Sequence, residues 1–179
     1  MPVLDDVCAV LQPVLRPALP GDEAFLRDLF ESSRSDDFAL LPGATRSTLI
    51  DLQLRAQAAQ YRADYPQAEH AMITVGGASV GQVRTSRQPE ATVLVDISVV
   101  GTQRGRGIGT AVISALITQA DAAGLPVRLS VWALNTAAQR LYARLGFLEE
   151  TAAGSISMYR PSAHAATTPT PTPTPTPEG

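Results

Sequence analysis

The fold of this 179-residue chain is decided by the stretch Gln103-Arg104-Gly105-Arg106-Gly107-Ile108-Gly109-Thr110. It follows residues 91–100, whose β-branched side chains predict a central strand covered on both faces, and it precedes a helical pattern that runs to about Ala123. Glycines at such a junction let the backbone approach a ligand closely, and the unbonded N–H groups of the first helical turn favour an anion. The stretch therefore predicts a cradle for a pyrophosphate, in which Arg104 and Arg106 either bind phosphate or remain solvated.

Two other kinds of nucleotide-binding loop fit this stretch less well. A Walker A loop needs Gly-Lys-Ser/Thr, whereas Gly109 is followed directly by Thr110. A dinucleotide-binding loop sits near the first strand of a βαβ unit, with an acidic residue about 20 positions further on. Here several predicted strands precede the loop, and no acidic residue stands at the end of the following strand. A glycine-rich loop taken alone still remains weak evidence.

A second group of residues follows a buried strand predicted at residues 127–131 and comprises Asn135, Ala138, Leu141, Tyr142, Gly146 and Phe147. Residues seven apart on a helix nearly eclipse, so Asn135 and Tyr142 share one stripe. Thr136 and Gln139 predict a capping box, which would leave Asn135 just outside the helix and able to contact a ligand. The alternative makes Asn135 the N-cap and places Tyr142 at the edge of the core.

The remaining patterns predict a mixed order of helices and strands in one domain. An edge strand is expected within residues 10–19, helices at 22–34 and 45–65, a hairpin at about 72–83, and a final strand pair at 147–160 that turns near Gly154. Residues 167–179 alternate Thr and Pro almost throughout and offer no apolar side chain to bury. We therefore expect a folded domain over residues 1–161 and a disordered tail over residues 162–179.

Composition excludes several classes of function. The net charge of −3 disfavours broad binding to a phosphate backbone, so no nucleic-acid partner is expected. No apolar run approaches the roughly 20 residues that span a bilayer, and Asp5 and Asp6 stand where a secretory signal needs basic residues, so we expect a cytoplasmic protein without a membrane partner. His70 and His164 are far apart, and no Cys or carboxylate spacing beside them indicates a metal site.

Together the two blocks resemble the GNAT superfamily of N-acetyltransferases. The resemblance covers about residues 14–160 and is most specific in Arg104 to Gly109, which looks like its acyl-CoA pyrophosphate loop, and in Asn135 to Phe147. It implies an α/β (α+β) fold with a mixed, mostly antiparallel central sheet of about six to seven strands, splayed between strands four and five and flanked by helices. Homodimers are common in that superfamily, but the sequence shows no interface.

The resemblance also implies the cofactor and the roles of individual residues. Acetyl-CoA is the expected co-substrate, with its pantetheine arm bonded to the backbone near Val99 and Val100 in the manner of an added strand. The cofactor-binding residues that match the superfamily are Val99, Val100, Arg104, Gly105, Arg106, Gly107, Ile108, Gly109, Thr110 and Asn135. Tyr142 matches the residue that protonates the departing thiolate.

The general base is the part of the chemistry that the resemblance leaves open. Some N-terminal and ribosomal-protein acetyltransferases carry a glutamate where this chain has Ser130, which disfavours that subtype. Asp96 is a carboxylate within an otherwise apolar strand, where burial would raise its pKa toward a useful value. A buried structural acceptor at Asp96 and a water chain without a dedicated base are the alternatives. Trp132 either forms a wall of the acceptor pocket or packs half-buried.

The sequence therefore predicts transfer of an acetyl group from acetyl-CoA to a primary amine of a small molecule, with a protein acceptor left open. One alternative is a domain that binds acyl-CoA as a sensor without catalysis. Another is an interaction module in which the Thr-Pro tail recruits a partner.

Overall fold

The computed structural model describes residues 12–34, 42–150 and 155–163. Within these residues, four α-helices occupy Glu23–Ser33 (α1), Gly43–Asp64 (α2), Ile108–Ala122 (α3) and Thr136–Arg144 (α4). The seven strands are Val14–Pro17 (β1), Glu69–Val75 (β2), Ala78–Arg87 (β3), Thr92–Val99 (β4), Val127–Trp132 (β5), Leu148–Glu150 (β6) and Ser155–Arg160 (β7). Within this described part, no helix combines the length and hydropathy needed to cross a membrane.

All seven strands form one sheet in the order β1-β2-β3-β4-β5-β7-β6, and β1 lies at an edge as its prolines predict. The pairs are antiparallel except between β4 and β5. The parallel pair is short, because its register runs only from Thr92↔Val127 to Leu94↔Leu129. The predicted fold class, including a splay between the fourth and fifth strands, is confirmed.

The main core lies on the face of the sheet that α3 covers. Ile113 of α3 and Ile73 of β2 are fully buried, and Leu94 and Leu129, the last residues of the β4–β5 pair, belong to the same apolar cluster. A smaller cluster on α1 and α2 contains Phe30 and Ile50. Beyond the paired part, β4 keeps its bonds to β3 as far as Gly81↔Val99, so the splay opens on the β5 side.

The last strand ends at Arg160, and the chain stays packed for a few residues more. Ser162 is buried, and the backbone N–H of Ala163 donates to the Asp121 carboxylate at 2.9 Å. The predicted turn near Gly154 and the Thr-Pro tail from residue 164 onward lie outside the described residues.

Gly81 allows β3 to approach the splayed end of β4. A Cβ atom at this position would overlap the Ser98 carbonyl oxygen and stand 3.2 Å from the Val99 Cα, both of which are backbone atoms of β4. We expect Gly81→Ala to lower the free energy of unfolding by about 1–3 kcal/mol, the usual cost of overpacking. Urea denaturation measures it, with Gly21→Ala as the control because no atom lies within 4 Å of its added Cβ. Equal midpoints for the two variants would contradict the expectation.

Candidate functional site

The glycine-rich stretch forms the N-terminal end of α3, as predicted. Gly107 is the N-cap with φ of 81°, and Gly105 has φ of 75°. Apart from the adjoining chain, no atom of the described residues lies within 4 Å of a Cβ built on either glycine, so the backbone here faces open space. The first intrahelical hydrogen bond runs from the Ala111 N–H to the Gly107 carbonyl. The N–H groups of the three residues before Ala111, in the first turn of α3, are therefore available to a ligand. This end of α3 is suited to an anion.

The two arginines of this stretch make protein contacts. Arg106 donates to the Gln103 side chain at 3.0 Å. Arg104 donates through Nε to the Val99 carbonyl at 3.0 Å and so reaches back to the splayed end of β4. Both side chains are exposed, which leaves their other N–H groups accessible to phosphate.

Val99 and Val100 differ in which main-chain groups remain available. Val100 donates its N–H to the Val80 carbonyl and accepts from the Gln103 N–H, both at 2.9 Å, so its main-chain groups are occupied within the protein. Successive N–H groups of a strand point to opposite sides, so the Val99 N–H points away from β3 and into the splay. The geometry therefore makes the Val99 N–H available to a ligand in the splay, and the cofactor contacts of both Val99 and Val100 stay predictions.

A central cleft of about 640 Å³ opens where β4 and β5 separate. It is lined by the C-terminal end of α1, by β4 beyond the splay, and by the segment between β5 and α4, with Arg34, Asp96, Val99, Arg104, Trp132 and Asn135 among its residues. Trp132 is 67% exposed and lines the cleft, a position that its predicted role as a wall of the acceptor pocket requires.

Asn135 is the N-cap of α4, because its Oδ1 accepts from the Ala138 N–H at 3.1 Å. The predicted capping box between Thr136 and Gln139 is wrong. The Gln139 amide instead donates to the carbonyls of Ala133 at 2.8 Å and Trp132 at 3.2 Å, and the Trp132 carbonyl also accepts from the Asn135 N–H at 2.9 Å. Asn135 nevertheless lines the central cleft, and its contact with a cofactor stays a prediction.

Tyr142 lies at the buried end of the same helix stripe and is 7% exposed. Its ring packs edge-on against Phe147, with the ring centroids 5.7 Å apart. Burial raises the pKa of Tyr142 to about 12, and the nearby Asp96 carboxylate adds to the rise. The Tyr142 hydroxyl forms no hydrogen bond with any residue that the structure describes. The hydroxyl is therefore a protonated donor whose pKa responds to the charge of Asp96, although Tyr142 is not among the residues that line the central cleft.

Asp96 lies on β4 just beyond the splay and lines the central cleft. Burial raises its pKa, whereas the Arg84 guanidinium, the Ile97 N–H and the Arg34 charge act in the opposite direction. Its Oδ2 accepts from the Gln82 side-chain amide at 2.9 Å. Asp96 thus combines a raised pKa with the hydrogen bonds that a structural acceptor would have, so both predicted roles remain consistent with the geometry.

The sequence did not predict a polar network that continues from Asp96 across the sheet. Gln82 Oε1 lies 2.7 Å from His70 Nε2, and His70 Nδ1 lies 3.0 Å from an Arg84 nitrogen. Since arginine can only donate, Nδ1 is the acceptor and Nε2 carries the proton to Gln82, which defines a neutral imidazole. Burial lowers the pKa of His70, and Arg84 lowers it further. The signal in the sequence was the alternation of polar Gln82 and Arg84 with buried Val83.

Among the residues that the structure describes, no group of three or more His, Cys, Asp and Glu side chains could hold a metal ion.

Comparison with solved structures finds the same fold in proteins of low sequence identity. The PaiA N-acetyltransferase of Thermoplasma acidophilum, solved in complex with coenzyme A, superposes with a TM-score of 0.62 at 15% identity, over 84% of this chain and 99% of that one. An acetyltransferase of Thermus thermophilus gives 0.61 at 22% identity, over 85% and 98%. The ribosomal-protein-S18-alanine N-acetyltransferase of Escherichia coli gives 0.58 at 20% identity, over 84% and 94%.

Sequence comparison adds the family. No curated protein sequence matches the chain closely enough to count as a relative. The model of the acetyltransferase (GNAT) family matches residues 28–147, a range that contains the glycine-rich stretch, the splayed strands, Asp96 and Tyr142. Because this match covers more than half of the chain, the protein belongs to the acetyltransferase (GNAT) family.

Proposed function

We propose that this protein transfers the acetyl group of acetyl-CoA to a primary amine of a small molecule by direct attack of the amine on the thioester. The observation that carries the proposal is the convergence of three parts at the splay. The open N-terminal end of α3 and the inward N–H of Val99 lie where β4 leaves β5, Asp96 lines the cleft that opens there, and Tyr142 is close enough to Asp96 for its charge to raise the pKa of Tyr142.

The N-terminal end of α3 would hold the pyrophosphate of acetyl-CoA. Its bonds would come from the N–H groups of Ile108, Gly109 and Thr110, supported by the helix dipole. The open space over Gly105 and Gly107 fits a phosphate that approaches the backbone closely. Arg104 and Arg106 would add charge, and Asn135 would contact the cofactor from the opposite side of the cleft.

The pantetheine arm would lie between β4 and β5. There it would pair with Val99 as an additional strand does. An N–H group of the arm would donate to the Val99 carbonyl in place of the Arg104 side chain, which donates to that carbonyl in this structure. The thioester carbonyl would then stand near the Val99 N–H, which can stabilise the tetrahedral oxyanion.

The chemistry needs one proton removed and one proton supplied. The amine nitrogen forms a bond to the carbonyl carbon and loses a proton to Asp96, directly or through water, and collapse of the intermediate breaks the carbon–sulfur bond. Tyr142 donates to the departing sulfur. Because a cysteine thiol has a pKa of about 8.5, well below that of Tyr142, and a thiolate is likewise a weaker base than a tyrosinate, much of this help is a hydrogen bond to the developing thiolate.

A domain that binds acyl-CoA as a sensor without transfer is the second candidate. The hydrogen bonds to Asp96 from Gln82 and from the Ile97 N–H favour it, because a carboxylate satisfied in this way can serve structure alone. Thiol release from acetyl-CoA in the presence of an amine panel, together with calorimetric titration of acetyl-CoA, separates the two. We expect measurable heat and amine-dependent thiol release. Heat without release on any amine supports the sensor, and absence of both overturns cofactor binding itself.

The pH dependence of turnover tests Asp96 as the base. Since burial raises its pKa, the carboxylate accepts a proton only above that raised value, and kcat at saturating acceptor should rise with pH through it. We expect Asp96→Asn to lower kcat by about 10²-fold and to remove this limb of the profile. The charged groups that shift the pKa of Asp96, and with it the pH at which kcat rises, are Arg84, Arg34 and the bound acceptor amine.

Asp64→Asn is the control for this prediction, because Asp64 is an exposed carboxylate at the end of α2. It should leave both kcat and the profile unchanged. An Asp96→Asn enzyme with the kcat and pH profile of the wild type would assign Asp96 a purely structural role.

A further inference from the structure

A second cavity of about 540 Å³, here called the side pocket, adjoins the central cleft between α1, α2, β2 and β3. The two cavities share Phe30, Gln57 and Gln82 as lining residues. Gln82 is also the residue that bonds to Asp96. A molecule whose amine reaches Asp96 in the cleft can therefore extend past Gln82 into the side pocket.

The side pocket carries more positive than negative charge, although the whole chain has a net charge of −3. Its charged lining residues are Arg27, Arg55, Arg62, Arg84, Glu23 and Asp51. Arg27 and Asp51 form an ion pair at 2.9 Å and offset each other. The remaining charged groups are three guanidinium groups and the Glu23 carboxylate, so this wall is electropositive.

Arg84 is the most enclosed of these cations. It lies half-buried on β3, donates to the neutral His70 ring at 3.0 Å, and stands 5.3 Å from the centroid of the Tyr61 ring. It forms no ion pair with any residue in the described part of the chain. Burial lowers the pKa of Arg84, and the charge of Arg62 lowers it further. The charges of Asp96 and Tyr61 act in the opposite direction and raise the pKa of Arg84. The Asp96 carboxylate acts on this partly desolvated guanidinium without forming a direct ion pair, so an anionic ligand that bonds to it directly would stabilise it.

We propose that the side pocket binds an anionic group of the acceptor, with Arg84 as its main partner, so that the preferred acceptor is a primary amine that also carries a carboxylate or a phosphate. This rests on the proposed acetyl transfer and specifies its substrate class. The positive wall has a second effect, because cations near the bound amine lower the pKa of that amine. A larger fraction of the amine is then neutral and able to attack.

The experiment compares acceptors in pairs that differ by the anionic group alone. We would measure kcat/KM for 6-aminohexanoate against pentylamine, for lysine against cadaverine, and for O-phosphoethanolamine against ethanolamine. The first two pairs report on a carboxylate and the third on a phosphate. In the wild type we expect at least one anionic member to exceed its partner by about tenfold or more, the usual size of one charge-assisted hydrogen bond.

The variants are Arg84→Gln and, as the matched control, Arg87→Gln, an exposed arginine at the end of the same strand. The ratio of kcat/KM within a pair is compared because it cancels any effect of a variant on folding or cofactor binding. We expect this ratio to fall to about one in Arg84→Gln and to keep its wild-type value in Arg87→Gln.

The outcomes separate this inference from the proposed function. Turnover of amines with ratios near one in the wild type would overturn the inference and leave acetyl transfer standing. So would a high wild-type ratio that Arg84→Gln does not change. Absence of turnover on every amine, with acetyl-CoA binding intact, would overturn acetyl transfer and this inference with it.

Discussion

Replacement of Tyr142 by phenylalanine should lower kcat by about 10²-fold while acetyl-CoA affinity stays within about twofold of the wild type. The hydroxyl is the atom removed, and it forms no hydrogen bond with the described residues, so the fold loses little. The ring keeps its edge-on contact with Phe147. Steady-state thiol release gives kcat, and calorimetry gives the affinity.

The pH profile adds a second test of Tyr142. Since its pKa is about 12, the phenol remains protonated through neutral pH, and its own ionisation should cause no loss of activity below about pH 11. Tyr159→Phe is the matched control, because Tyr159 is a half-buried tyrosine of β7 beside Arg128, whereas Tyr142 belongs to α4, which contributes Ala137 to the lining of the central cleft. A Tyr142→Phe enzyme with wild-type turnover would remove Tyr142 from the mechanism.

The parts of the site that the sequence predicted are those set by local chemistry. Gly105 and Gly107 adopt positive φ at a strand-to-helix junction, and this requirement can be read from residue type. The splay between β4 and β5 was predicted from the family resemblance. It could not be derived from periodicity, because Asp96, Ile97 and Ser98 continue the strand with no sign of where pairing to β5 stops.

The network from Asp96 to His70 depends on a register that the sequence does not reveal. Arg84 pairs with Asp96 but Thr85 pairs with Leu94, so Val95 is an extra residue in β4. Without this bulge the side chain of Asp96 would be carried to the opposite face of the sheet, away from Gln82 and toward α3. The bulge therefore determines that a carboxylate faces the cleft.

The capping of α4 failed as a prediction for a different reason. Thr136 and Gln139 have the spacing of a capping box, but the turn before the helix exposes two carbonyl groups close to Gln139. The amide of Gln139 donates to those carbonyls, and the side chain of Asn135 caps the helix instead. The sequence does not indicate these competing carbonyl acceptors, because their positions depend on the geometry of the turn.

Gly107→Val should raise the dissociation constant for acetyl-CoA by about 10²-fold, which corresponds to the loss of one or two charge-assisted hydrogen bonds. The side chain would stand in the open space over the N-terminal end of α3. A β-branched residue also resists φ of 81°, so the N–H groups of the first turn would no longer point at one phosphate. Calorimetric titration of acetyl-CoA measures the change.

Gly124→Val is the matched control, because Gly124 lies just past the other end of the same helix with φ of 69° and open space around its Cβ position. Both variants should lose stability through similar backbone strain, and urea denaturation would show the two losses. Only Gly107→Val should lose affinity, since anions bind at the N-terminal end of a helix and not at its C-terminal end. If both variants bind acetyl-CoA as tightly as the wild type, the amides of α3 do not hold the pyrophosphate, and the assignment of the cofactor to this end of the helix is wrong.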